Sequence, residues 1–127
     1  MIRKTLATVA FVASIAASSI AAQAGDRSGS FFGVSGKTTT GGVTVSRDAQ
    51  GYIVTLGSDF SFSGAPDPKI GFGSNGQYRE GTLIGLLKSN NGSQSFRVPA
   101  HIDISQFNEV HLWCEQFSVG LGVAPIN

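Results

Sequence analysis

Val43-Thr44-Val45-Ser46-Arg47-Asp48-Ala49-Gln50-Gly51-Tyr52-Ile53-Val54-Thr55-Leu56 is two short runs of β-branched and aromatic residues around the turn-forming Asp48-Ala49-Gln50-Gly51. Val43 and Val45 alternate with Thr44 and Ser46, the two-residue period of a strand with one buried face. The spacing predicts a β-hairpin. Working outward, the same kind of segment recurs. Phe31–Val34 precedes the hairpin, and Phe60 and Phe62 follow it before Gly64-Ala65-Pro66-Asp67-Pro68 interrupts, since proline has no N–H for a ladder. Lys69–Phe72, Gln77–Ile84, Gln94–Val98 after the Asn90-Asn91-Gly92 turn signal, residues 110–119 and Gly120–Ala124 complete the set. No heptad and no sustained 3.6-residue period stands beyond the first two dozen residues. The reading is an all-β chain, a compact antiparallel β-sandwich or barrel of about 7–9 short strands after a cleaved N-terminal signal helix.

The chain opens with Met1-Ile2-Arg3-Lys4, an uncharged Ala/Val/Ile-rich run from Leu6 to Ala22, and Ala22-Gln23-Ala24. Basic start, apolar run and small-x-small site predict a secretory signal peptide over 1–24, cleaved after Ala24. The mature domain is then 25–127, about 100 residues and one domain by size. Its predicted place is periplasmic or secreted, with no stable membrane span once the leader is removed. All 17 glycines follow Ala24. The chain has 9 basic and 8 acidic side chains, and Arg3 and Lys4 leave with the leader, so the remainder is nearly neutral. That balance argues against an electrostatic grip on nucleic acid.

Val110-His111-Leu112-Trp113-Cys114-Glu115-Gln116-Phe117-Ser118-Val119 holds the chain's single Trp beside its single Cys. A lone cysteine in an exported protein is a buried thiol, a redox thiol or ligand, half of an intermolecular disulfide, or a nucleophile. Strand alternation places Val110, Leu112 and Cys114 on one face and His111, Trp113 and Glu115 on the other. It separates Cys114 from His111 and disfavours a local Cys–His pair. Phe117 and Val119 fall in the Trp113 register, which a bulge near Glu115-Gln116 would allow.

Other chemical motifs are weak. Gly71-Phe72-Gly73-Ser74-Asn75-Gly76 spells a dinucleotide fingerprint, but no helix pattern follows, so it reads as a glycine-rich hairpin or loop. His101, Asp103, His111 and Cys114 match no zinc spacing, and the histidines read as surface residues. No Cys-x-x-Cys-His, Gly-x-Ser-x-Gly or carboxylate pair marks a stand-alone enzyme. A non-catalytic cell-envelope binding module, with the Gly71–Arg79 loop as its face, Tyr78 as anchor and Cys114 a buried structural thiol, remains an alternative.

In order, Phe32-Gly33, Ser35-Gly36, Val43-Thr44-Val45, Asp59-Phe60, Gly64-Ala65-Pro66-Asp67, Ile84-Gly85-Leu86-Leu87-Lys88, Gly92-Ser93-Gln94-Ser95-Phe96, Val98-Pro99, Ile102-Asp103, Phe107 and the 110–119 block resemble the DM-thirteen domain, the electron-transfer module of Skeletor-type proteins. The 110–119 block is the most specific of these. The resemblance implies an all-β module with a role in electron transfer through its cysteine, as a bare thiol or as ligand to a group such as haem. That role falls on Cys114, with Trp113, Phe117, Asp59 and Asp67 shaping its surroundings. It further implies a separate redox or cytochrome-type protein as partner. Pro68 and Ile70-Gly71-Phe72-Gly73 depart from the family pattern by making the middle of the chain glycine-rich.

Overall fold

The structure is a computed structural model that describes residues 26–127; the proposed leader lies outside the described residues. Twelve strands form among them: Arg27–Ser30 (β1), Phe32–Gly33 (β2), Thr39–Thr40 (β3), Gly42–Asp48 (β4), Gly51–Leu56 (β5), Ser61–Phe62 (β6), Pro68–Ser74 (β7), Gln77–Tyr78 (β8), Gly85–Leu86 (β9), Gln94–Arg97 (β10), Glu109–Cys114 (β11) and Val119–Pro125 (β12). The sole helical element among the described residues is a single 3-10 turn, Ile104–Gln106, capped by Asp103, whose side chain accepts from Ser105 N. The count exceeds the expected 7–9 because several strands are only two residues long.

Two antiparallel sheets face each other. One runs β1-β4-β5-β10, the other β2-β12-β11-β7-β8 with β9 also on β7, and a short β3-β6 pair stands beside them. Both sheets have ends, so the architecture is a sandwich and not a closed barrel. The Gly29–Ile126 bridge joins the sheets at one edge. Val43, Val45, Val54, Leu56 and Phe96 from the first sheet meet Ile70, Phe72, Val110, Leu112 and Leu121 from the second in one continuous core. Such a core supplies most of the driving force, at roughly 25 cal/mol for each Å² of apolar surface removed from water.

The β4–β5 hairpin forms as expected, with Asp48 opposite Gly51 and the Asp48 carboxylate accepting from Gln50 N at 2.9 Å. Gly71-Phe72-Gly73 lies in β7, and Asn75 and Gly76, both at positive φ, turn the chain back into β8. A primed turn at Asn-Gly matches the twist of the flanking strands. Two expectations need correction. Gln77–Ile84 is not one strand: β8 ends at Tyr78, and Thr82 then plugs the chain back onto β7, with its hydroxyl accepting from Phe72 N at 2.9 Å. Residues 110–119 are not one strand with a bulge at Glu115-Gln116 either. β11 ends at Cys114, Glu115–Ser118 turns, and β12 returns beside it, with the register shift falling between Leu112 and Trp113. The change of apolar phase is a reversal of the chain, with Ser118 in the left-handed region at φ 54°.

Candidate functional site

β11 is the central strand of the larger sheet, flanked by β7 and β12. Central pairing lets it be covered on both sides. Alternation then decides what each side chain meets. Val110, Leu112 and Cys114 enter the sandwich core, where Cys114 is a free thiol only 2% exposed. In register it faces Pro68 of β7 and Val119 of β12, at the end of the sheet where the chain turns. Its sulfur is enclosed, and no second cysteine exists to pair with it.

The opposite face of β11 carries Glu109, His111 and Trp113. Register pairing sets them beside Gly73, Gly71 and Lys69 of β7. Glycine at 71 and 73 leaves a hollow over which Tyr78 and Thr82 pack: a Cβ on Gly71 would come within 3.0 Å of the Tyr78 ring, and one on Gly73 within 2.6 Å of His111 Nε2. In this hollow His111 Nε2–H donates to Glu109 Oε1 at 2.9 Å, and the same carboxylate accepts from Gly76 N at 2.8 and 2.9 Å. His111 is 2% exposed. Burial pushes its pKa below the ordinary value, opposed by the Glu109 carboxylate. The expectation of a surface histidine is therefore wrong for His111, while His101 is exposed.

Tyr78 stacks on Trp113 with ring centroids 4.2 Å apart and planes 18° from parallel. Together with Glu80, Gly81, Leu83, Glu115 and Ser118 the two rings line an open cleft of about 780 Å³. Burial, and then the neighbouring Glu115 and Glu80 carboxylates, push the Tyr78 phenol upward against hydrogen bonds to Thr82 and Gly81. Lys69, beside Trp113 in register, is bound by Glu115 and lies 3.5 Å from Asp67.

The residues expected around Cys114 are dispersed. Trp113 adjoins it in the chain but points to the other face. Phe117 sits on the turn and is 60% exposed. Asp59 serves a turn, accepting from Gly42 N at 2.9 Å. Asp67 approaches through its backbone, where its carbonyl accepts from Glu115 N at 3.3 Å. A haem-sized group does not fit at Cys114, whose sulfur belongs to the packed core. Three clefts at the surface of the described residues are lined by other side chains. Among the described residues no three His, Cys, Asp or Glu side chains converge as metal ligands, and no helix is long and apolar enough to cross a membrane.

The fold and this arrangement define a small antiparallel β-sandwich domain with one enclosed thiol on its central strand. The chain belongs to the family described as electron transfer DM13, whose model matches residues 31–126. Comparison with curated proteins and with solved structures returned no match. The match covers all of the sandwich except β1, and it includes both faces of β11.

Proposed function

We propose that the protein is an exported electron-transfer domain in which Cys114 works as a bare thiol with a separate cytochrome-type partner. Family membership supports the electron-transfer role. The carrying observation for the residue is the enclosure of Cys114, the chain's single thiol, at the end of the central strand. A one-electron-oxidised partner would take one electron from Cys114, the thiol proton leaving to water at the adjacent Glu115–Ser118 turn, and the reverse transfer would restore the S–H bond. Enclosure protects such a sulfur from disulfide exchange and from over-oxidation in an oxidising compartment, since both require access. Export is inferred from the Arg3-Lys4 start, the apolar run and Ala22-Gln23-Ala24.

The same burial favours a second reading, a structural thiol acting as a small hydrophobe in an envelope binding module. Protein-film voltammetry on the wild type, Cys114→Ala and Cys114→Val separates the two. A reversible wave present in the wild type and absent from both folded variants supports the redox role. Identical traces in all three leave Cys114 as packing and overturn it.

A further inference from the structure

We propose that the cleft on the outer face of β11 binds an organic cation, an alkylammonium or guanidinium group held against the Tyr78 and Trp113 rings and between the Glu80 and Glu115 carboxylates. The proposal stands apart from any electron transfer at Cys114, which lies on the other face of the strand.

The argument begins with the rings. Tyr78 and Trp113 are fixed as a pair by their 4.2 Å stack and by the packing of Tyr78 over Gly71, so the platform is organised before a ligand arrives. Aromatic faces attract cations through their quadrupole, tryptophan most strongly. The charged residues lining the cleft, Glu80 and Glu115, are both acidic. Glu80 is exposed and forms no ion pair with another described residue. Glu115, on the β11–β12 turn, lines the same cleft. A neighbouring ion pair shows what one of these carboxylates accepts. Lys69, in register with Trp113, binds Glu115 and approaches Asp67, so one carboxylate of the cleft accepts a primary amine in the folded protein itself. Asp67, Glu80 and Glu115 against Lys69 leave the region net negative, which disfavours anions. A neutral sugar could stack on the rings and donate hydroxyls to the carboxylates, but it would leave their charge uncompensated.

Trp113 is the only tryptophan, so its fluorescence reports on this cleft alone. The purified protein is titrated at constant ionic strength with tetramethylammonium, with an N-acetyl-Gly-Arg-Gly amide peptide, with neutral neopentyl alcohol and with methyl glucoside. A saturable change with either cation and none with the neutral compounds is the expected result. Stronger response to the peptide assigns the ligand to a basic side chain of a docking protein, and stronger response to tetramethylammonium assigns it to a free quaternary amine. Glu80→Gln, a substitution on an exposed side chain, should weaken binding about two- to fivefold. Tyr78→Leu should weaken it about fivefold. Lys69→Met releases Glu115 and should tighten binding by about two- to fivefold, a gain that damage to the fold cannot imitate. Absence of a saturable change, an equal response to neopentyl alcohol or methyl glucoside, or weaker binding in Lys69→Met overturns the proposal.

Discussion

Single atoms decide the outer face of β11. Gly73 is buried, and a methyl group there would run into the Gln77 carbonyl and approach His111 Nε2 to 2.6 Å. The neighbour on one side is backbone, which cannot swing away as a flexible side chain could. Gly73→Ala should therefore cost about 3 kcal/mol. In a domain of this size that lowers Tm by more than about 10 °C, readable by calorimetry. His111 gives a pH dependence of definite sign. Unfolded, it binds a proton at its ordinary pKa of 6.5; folded, burial holds that affinity lower. The unfolded state thus takes up the proton first, and stability falls as pH drops below about 6.5. Tyr78 and Glu109 face the ring from β8 and from β11 itself, and the Glu109 carboxylate moderates the effect without reversing it. Urea midpoints measured between pH 7.5 and 5 should decline in the wild type. In His111→Gln, which keeps a donor toward Glu109, the decline should be shallower.

At the scale of strands, legibility in the sequence follows from how local the determining contacts are. The β4–β5 hairpin is readable because alternation and the Asp48–Gly51 turn lie within fourteen consecutive residues. The two faces of β11 are readable for the same reason, and so is the inward direction of Cys114. What covers the second face is not. Glu109 and His111 look like a polar, solvated face, and their burial comes from Tyr78 and Thr82, some thirty residues earlier, settling into the space left by Gly71 and Gly73. The Glu115–Ser118 reversal also escapes, because it contains no Gly, Pro or Asn and uses a serine at positive φ. Asp48 and Arg97 show a long-range device of the smaller sheet. Their two charge-assisted bonds, 2.8 and 2.7 Å, tie the end of β4 to β10 across β5. The Arg97 guanidinium draws the Asp48 carboxyl down to about 2 from 3.8. This pairing is fully present above pH 3.8 and is lost as pH falls through about 2. The wild-type stability advantage over Asp48→Asn, read from urea midpoints, should accordingly be present at pH 5 and shrink by pH 2.

Across the whole molecule, both sheets share one core, and Cys114 is a member of it together with Val45, Leu56, Phe72 and Leu112. That placement makes the thiol a reporter of global opening. A sulfur at a loosely held edge would meet reagent whenever the edge frayed, at a rate indifferent to denaturant. A sulfur shared between two sheets meets it only when the sheets separate, exposing most of the buried surface at once. Cys114 sits at the turn end of β11, so the two cases are in real competition: strand ends open easily, but this one is clamped by Pro68 on one side and Val119 on the other. The core side chains around it favour the cooperative case. Labelling of the native protein with an aromatic disulfide reagent should be slow, and its logarithm should rise with urea at the slope of global unfolding, about 1–3 kcal/mol per molar for a small domain. Leu112→Ala, two residues along the same face, should destabilise by about 2–5 kcal/mol and accelerate labelling by the same free energy. A labelling rate flat in urea, and unmoved by Leu112→Ala, would instead locate the opening in the β11–β12 turn and make Cys114 reachable without unfolding the sandwich.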